Sequence, residues 1–147
     1  MIRLSQRDPK WAAKKLGSSN LTLGRYGCTT TSISMLTDYF GKLVSPPTIA
    51  GDPSKYTSDG LVLWNKMSFL VMKFVLREKG RKDKNILAAI KDPNMGVLLE
   101  VNKGQHWVVA VRQAGESYIV ADPWDGKDCD VIKKYFNITG ASYFERI

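Results

Sequence analysis

"HWVVAVRQAGESYIVAD", residues 106 to 122, decides the fold. Two short runs, "HWVVAV" (106–111) and "YIVAD" (118–122), are rich in Val and Ile and flank the polar segment "RQAGES". That pattern predicts an antiparallel β-hairpin. A three-residue loop, Gln113-Ala114-Gly115, suits a type I turn closed by a glycine in the left-handed region. In that register Arg112 faces Glu116, and His106 lies directly opposite Asp122 on the same face. Directly opposed β-carbons stand about 4.5–5.5 Å apart, within reach of an imidazole–carboxylate bond. A loop of even length would shift the register by one and send the two side chains to opposite faces.

Working outward, "GVLLEV" (96–101) and the final "SYFERI" (142–147) read as further strands. "KNILAAIKD" (84–92) is a short amphipathic helix ended by Pro93, and "DVIKKYF" (130–136) a helical turn. Upstream, "CTTTSISMLTDYFG" (28–41) reads as a helix, with Thr29, Ile33, Leu36 and Phe40 on one face and Gly41 as its stop. Its Ser and Thr residues favour helix weakly, so close packing must hold it. "LVSPPTIAGDPSKYTSDG" (43–60) is loop with at most a short helix. "LVLWNKMSFLVMKFVLREKG" (61–80) is ambiguous: its first part looks helical after an Asp59 cap, and its second is helix or strand. Helices first and antiparallel strands later make an α+β fold, read as one domain over residues 1–147.

The 22 Lys and Arg against 14 Asp and Glu give a net charge of +8, which favours an anionic partner. No nucleic-acid-binding motif is present, so nucleic acid is not the expected partner. No run approaches the roughly 18 apolar residues of a membrane span. The start, "MIRLSQRDPKW", lacks the apolar core of a signal peptide. This predicts a cytoplasmic or virion-associated chain, or export by a non-standard route. A monomer is expected.

Two cysteines are too few for a disulfide framework. Cys28, after Gly27, stands where the 28–41 helix begins. There the helix dipole and free N–H groups favour thiolate, and with it nucleophilic character. The alternative is a small buried residue. His106, the single histidine, has the corresponding alternative of a packed strand histidine. Together, Cys28 as nucleophile, His106 as base and acid, and Asp122 as orienting carboxylate form a complete set for acyl transfer. The Cys28 N–H and the Gln6 side chain are candidate oxyanion donors. Zinc on Cys28, His106, Asp122 and Cys129 has the right ligand types but no short ligand spacing. A Cys28–Cys129 disulfide would silence the nucleophile, but Cys129 falls in "DGKDCDV" (125–131), which reads as a charged loop. Trp107 and Trp124 serve as core or as groove walls, and Gly27 joins them as a candidate groove residue.

"SQRDPKWAAKKLG", "YGCTTTSISML", "HWVVAV" and "YIVADPWDG" together resemble the papain-like cysteine peptidases of the bacteriocin-processing (double-glycine leader) group. The likeness is to stand-alone, C39-like bacterial and phage relatives, and it spans Gln6 to the last strand. Transporter-fused members carry an aspartate just before Gly-Cys, where this chain reads "RYGC". The resemblance implies a papain-like fold, with the nucleophile helix packed on an antiparallel sheet. It also implies Cys28, His106 and Asp122 as the triad, Gln6 in the oxyanion hole, no cofactor and no metal. The expected substrate is a peptide or protein, with anionic cell-wall peptides or a phage-processing target as candidates. The competing expectation is a catalytically silent peptide-binding module with the same fold.

Overall fold

The structure, a computed structural model, describes all 147 residues. Six antiparallel strands form one sheet: β1 (Met72–Lys79), β2 (Met95–Val101), β3 (His106–Ala114), β4 (Ser117–Asp122), β5 (Lys127–Asp130) and β6 (Gly140–Arg146). Their order across the sheet is β1-β6-β2-β3-β4-β5. Five helices accompany them: α1 (Leu23–Tyr26), α2 (Cys28–Tyr39), α3 (Pro46–Ala50), α4 (Asp83–Lys91) and α5 (Val131–Tyr135). The fold is α+β. None of the helices is long and apolar enough to cross a membrane.

Alternation along the strands divides the core into two layers. On one face, Trp107, Val109, Ala121 and Phe144 pack with Ile33, Met35 and Leu36 of α2. On the other, Val108, Val120, Tyr118 and Tyr143 pack with Ile86 and Ala89 of α4 and Val131 of α5. Each fully buried aliphatic side chain contributes roughly 1.5–3 kcal/mol relative to exposure.

Helix α2 is buried almost all round, from Thr29 to Thr37. Most of its hydroxyls are therefore spent internally, although Thr31 Oγ1 is buried without a partner. Ser34 donates to Val44 O at 2.6 Å, and Thr37 to Ser34 O at 2.7 Å. Thr30 bonds Tyr56 at 2.7 Å. Ser32 donates to Trp107 O at 3.3 Å, tying the helix to β3. Gly41 follows the helix at φ +104° and lets the chain turn away.

The β3–β4 hairpin differs from the expected register. Its turn has two residues, Gly115-Glu116, so Ala114 pairs with Ser117 and Arg112 with Ile119. Gly115 stands first in the turn at φ +62°, the position of a type II′ glycine. That even loop alone would place His106 and Asp122 on opposite faces. A bulge at Val111 shifts the ladder once more, to Ala110↔Val120 and Val109↔Ala121. Parity is restored, and His106 becomes a diagonal neighbour of Asp122 rather than its direct partner.

Two further expectations change. Residues 61–71 hold a 3₁₀ turn at Trp64–Lys66 and isolated β-bridges at Val62 and Phe69 but no α-helix, and Asp59 caps no helix. Its carboxylate instead accepts the Thr57 hydroxyl within a tight turn. Cys129, expected in a loop, lies in edge strand β5 opposite Val120.

Gly27 is buried at the joint between α1 and α2. A β-carbon there would stand 2.4 Å from both Leu23 O and Leu23 Cδ2. Gly27→Ala therefore forces α1 and α2 apart. The expected loss is about 1–3 kcal/mol, read as a lowered urea midpoint. An unchanged midpoint would show that the joint is not sterically fixed.

Candidate active site

The joint between α1 and α2 prepares the first group. Gly27 N–H closes the last bond of α1 on Leu23 O, and Thr31 N–H opens α2 on Gly27 O. No backbone acceptor takes the Cys28 N–H, which remains an available donor beside its own thiol. The Gly24 carbonyl, also released by the kink, accepts Gln6 Nε2 at 3.2 Å.

Gln6 itself is 1% exposed. Its N–H donates to Pro123 O at 2.7 Å. Ser5 Oγ and Arg7 Nε, on either side, donate to Trp124 O at 3.0 and 2.8 Å. The N-terminal segment is thereby fastened to the turn after Asp122. One Nε2 hydrogen is spent on Gly24, and the second is free.

His106 begins β3 and Asp122 ends β4. His106 Nε2 bonds Asp122 Oδ1 at 2.8 Å. The Trp124 N–H donates to the same oxygen at 3.0 Å. Oδ2 accepts from Lys134 Nζ at 2.6 Å and from the Tyr135 hydroxyl. The carboxylate is fully buried, and these four donors satisfy it.

Asp122 takes its charge state from this setting. Burial pushes the carboxyl up, but His106, Lys134, Tyr135 and the Trp124 N–H together hold it well below the ordinary carboxylate range. Burial likewise lowers the imidazole, while its bond to Asp122 and its contact with Cys28 raise it to about 9. Burial pushes the Cys28 thiol up, and the hydrogen bond and charge of His106, aided by Trp107 backbone and Thr29, bring it below its ordinary value. With Nε2 committed to Asp122, Nδ1 is the nitrogen left to face the thiol. The arrangement favours a thiolate–imidazolium pair.

Cys28, His106, Gln6 and Trp124 line one cavity of about 700 Å³. A second, of about 350 Å³, adjoins it across Tyr26, Cys28 and Gln105 and includes Trp107. Trp124 is 40% exposed, whereas Trp107 is 7% exposed and packs edge-on against Trp64 at 4.8 Å. Trp107 is thus mainly core with one edge in the cleft. Gly27, expected in the groove, lines neither cavity, because Leu23 packs against it.

Lys134 and Tyr135 complete the site and were not singled out in the sequence. They follow Asp130, whose side chain caps α5 by accepting the Ile132 and Lys133 N–H groups. The basic–aromatic pair after that cap is the one available signal. Both cysteines are free thiols. Burial and the nearby Asp122 charge push Cys129 up to about 11, the opposite direction from Cys28. No group of three or more His, Cys, Asp or Glu side chains is placed to hold a metal ion.

Two outcomes follow from these shifts. With limiting iodoacetamide near pH ~6.5, Cys28 is expected to be alkylated on the order of 100-fold faster than Cys129, with the difference collapsing in His106→Ala. Mass mapping of the adduct reads this directly, and equal rates would remove the ion pair. Asp122→Asn is expected to cost about 3 kcal/mol near neutral pH. Because the folded carboxyl is depressed, its stabilisation is present above its ordinary value of 3.8 and is lost as pH falls below it. The stability gap between wild type and Asp122→Asn should therefore narrow in acid, in urea titrations at stepped pH.

No protein-family model, no curated protein and no solved structure matches the chain, so its own geometry carries the functional reading.

Proposed function

We propose that this protein is a papain-like cysteine peptidase, of the stand-alone C39-like type, that cleaves an amide bond through a thioester intermediate. The observation that carries the reading is the Cys28–His106–Asp122 chain, with an unbonded N–H on Cys28 and a free amide hydrogen on Gln6. A packed histidine would need only one satisfied partner. Here the imidazole is buried, held in its protonated form by a sealed carboxylate and adjacent to a depressed thiol at a helix start.

The Cys28 thiolate attacks the scissile carbonyl carbon. The carbonyl π electrons move onto oxygen, where the Cys28 N–H and Gln6 Nε2–H receive them. His106 donates its Nδ1 proton to the leaving nitrogen, the C–N bond breaks and the amine departs. The acyl group remains on Cys28 as a thioester. Neutral His106 then takes a proton from water, and the hydroxide adds to the thioester carbon. Collapse of that second tetrahedral species expels the thiolate and releases the carboxylic acid. Asp122 stays ionised throughout and holds the ring in the tautomer that points Nδ1 at the thiol. Peptide substrates, including anionic cell-wall peptides, fit the net charge of +8.

Digestion of a peptide mixture and of purified peptidoglycan, read by mass spectrometry, tests this. Wild type should cleave, and Cys28→Ala should not. Gln6→Ala should lower kcat/KM by roughly 100-fold or more. The kcat/KM profile should be bell-shaped. Its acid limb marks thiolate formation, below the ordinary 9.0 of a thiol. Its alkaline limb falls near 9, where His106 loses the proton the leaving amine needs. Binding without cleavage by either protein would point to the silent peptide-binding module instead.

A further inference from the structure

The two cavities that meet at Cys28 differ in charge. In the larger, every charged side chain other than the Cys28 thiolate is cationic: Arg25, Lys134 and His106. Lys134 is drawn back toward Asp122 at 2.6 Å and Asp125 at 3.7 Å. Arg25 is exposed and forms no ion pair with any carboxylate of the chain, although its guanidinium lies over the Tyr26 ring at 5.5 Å. Arg7 lines neither cavity, but its guanidinium lies over the ring of Trp124, which lines the larger, at 4.2 Å and is likewise without an ion pair. In the smaller cavity the two charges, Arg77 and Glu100, neutralise each other at 2.8 Å. The remainder of that wall is mostly apolar, including Leu61, Val62, Trp64 and Trp107.

His106 fixes which side is which. It lines the larger cavity and not the smaller. A general acid must reach the departing nitrogen, so the leaving-group half of a substrate lies on the side of the imidazole. The acyl half then extends into the smaller, apolar cavity.

We propose that the cleft selects peptides with an acidic residue on the leaving-group side of the scissile bond and an apolar residue on the acyl side. This rests on the hydrolase reading above and adds polarity to it. The unpaired Arg25 guanidinium gains a carboxylate partner there, with Arg7 behind Trp124 adding to the positive field, while a lysine would meet like charge. An acid on the acyl side would have to displace Glu100 from Arg77 or enter an apolar wall.

The test uses matched peptides with Glu, Gln or Lys placed before or after the cleaved bond. On the leaving-group side, Glu should exceed Gln in kcat/KM by about fivefold, a ratio typical of one exposed ion pair. Lys should fall below Gln, and high salt should compress the series. Arg25→Glu should reverse the order, and Arg7→Gln, in a separate variant, should flatten it. Equal rates across the series, or an acid preference on the acyl side, would overturn the proposal while leaving the hydrolase reading intact. If nothing is cleaved, that reading fails, and fluorescence anisotropy of labelled peptides decides the rest. Tighter binding of apolar-then-acidic than of acidic-then-apolar peptides, lost in Arg25→Glu, keeps the polarity. Equal binding overturns it.

Discussion

A buried carboxylate must be paid for by its neighbours, and Asp122 is the carboxylate on which this structure turns. An ion removed from water costs several kcal/mol unless its lone pairs and its charge are both met. Four donors meet them here, from β3, from the turn after β4 and from α5. None of these groups is a sequence neighbour of all the others. The ends of β3 and β4, the 122–126 turn and α5 must therefore assemble together, or Asp122 stays unsatisfied. The same charge then acts outward. It raises the imidazole, and the imidazole, against the opposing effect of burial, lowers the thiol, so that one desolvated anion at the end of β4 biases a cysteine on a helix across the sheet toward thiolate.

Much of this was legible in the sequence, and the reasons are physical. The 3.6-residue period of Ile33, Leu36 and Phe40 marks α2, and its start at Cys28 follows from the glycine before it. Strands β2, β3 and β4 announce themselves as short Val-, Leu- and Ile-rich runs between turn signals, and β6 by its adjacent aromatics Tyr143 and Phe144. Edge strands do not. β5 is "KDCD", with no apolar signal at all, because it needs only the backbone ladder of β4 to form. β1 exposes Val75 and Leu76, so its pattern looks neither helical nor cleanly alternating.

The hairpin shows a subtler limit. A glycine near the tip suits the closing residue of a three-residue loop, whereas Gly115 opens a two-residue turn. Val111 carries no mark of a bulge, since valine is an ordinary strand former. Each departure alone would separate His106 from Asp122, and only together do they return both to one face. Lys134 and Tyr135 were illegible for another reason. A lysine in an exposed helical turn acquires its meaning from a partner twelve residues away, which only the tertiary fold supplies.

The alternation of β3 has one more consequence. Trp107 and Val109 point toward α2, so His106 points to the opposite face with Val108, toward α5. Thiol and imidazole therefore belong to different layers and meet only at the open end of the strand, where the sheet stops separating them. Each layer has its own apolar core to hold its group in place. The α2 layer anchors Cys28 through packing and the Ser32–Trp107 bond. The α5 layer anchors His106 through Asp122 and the Tyr135 ring, 5.3 Å from the imidazole. A site built across that boundary is open on two sides by construction. That is why the cleft divides at Cys28 into two halves, and why those halves, which share Tyr26, Cys28 and Gln105 but otherwise draw on different elements, can differ in charge.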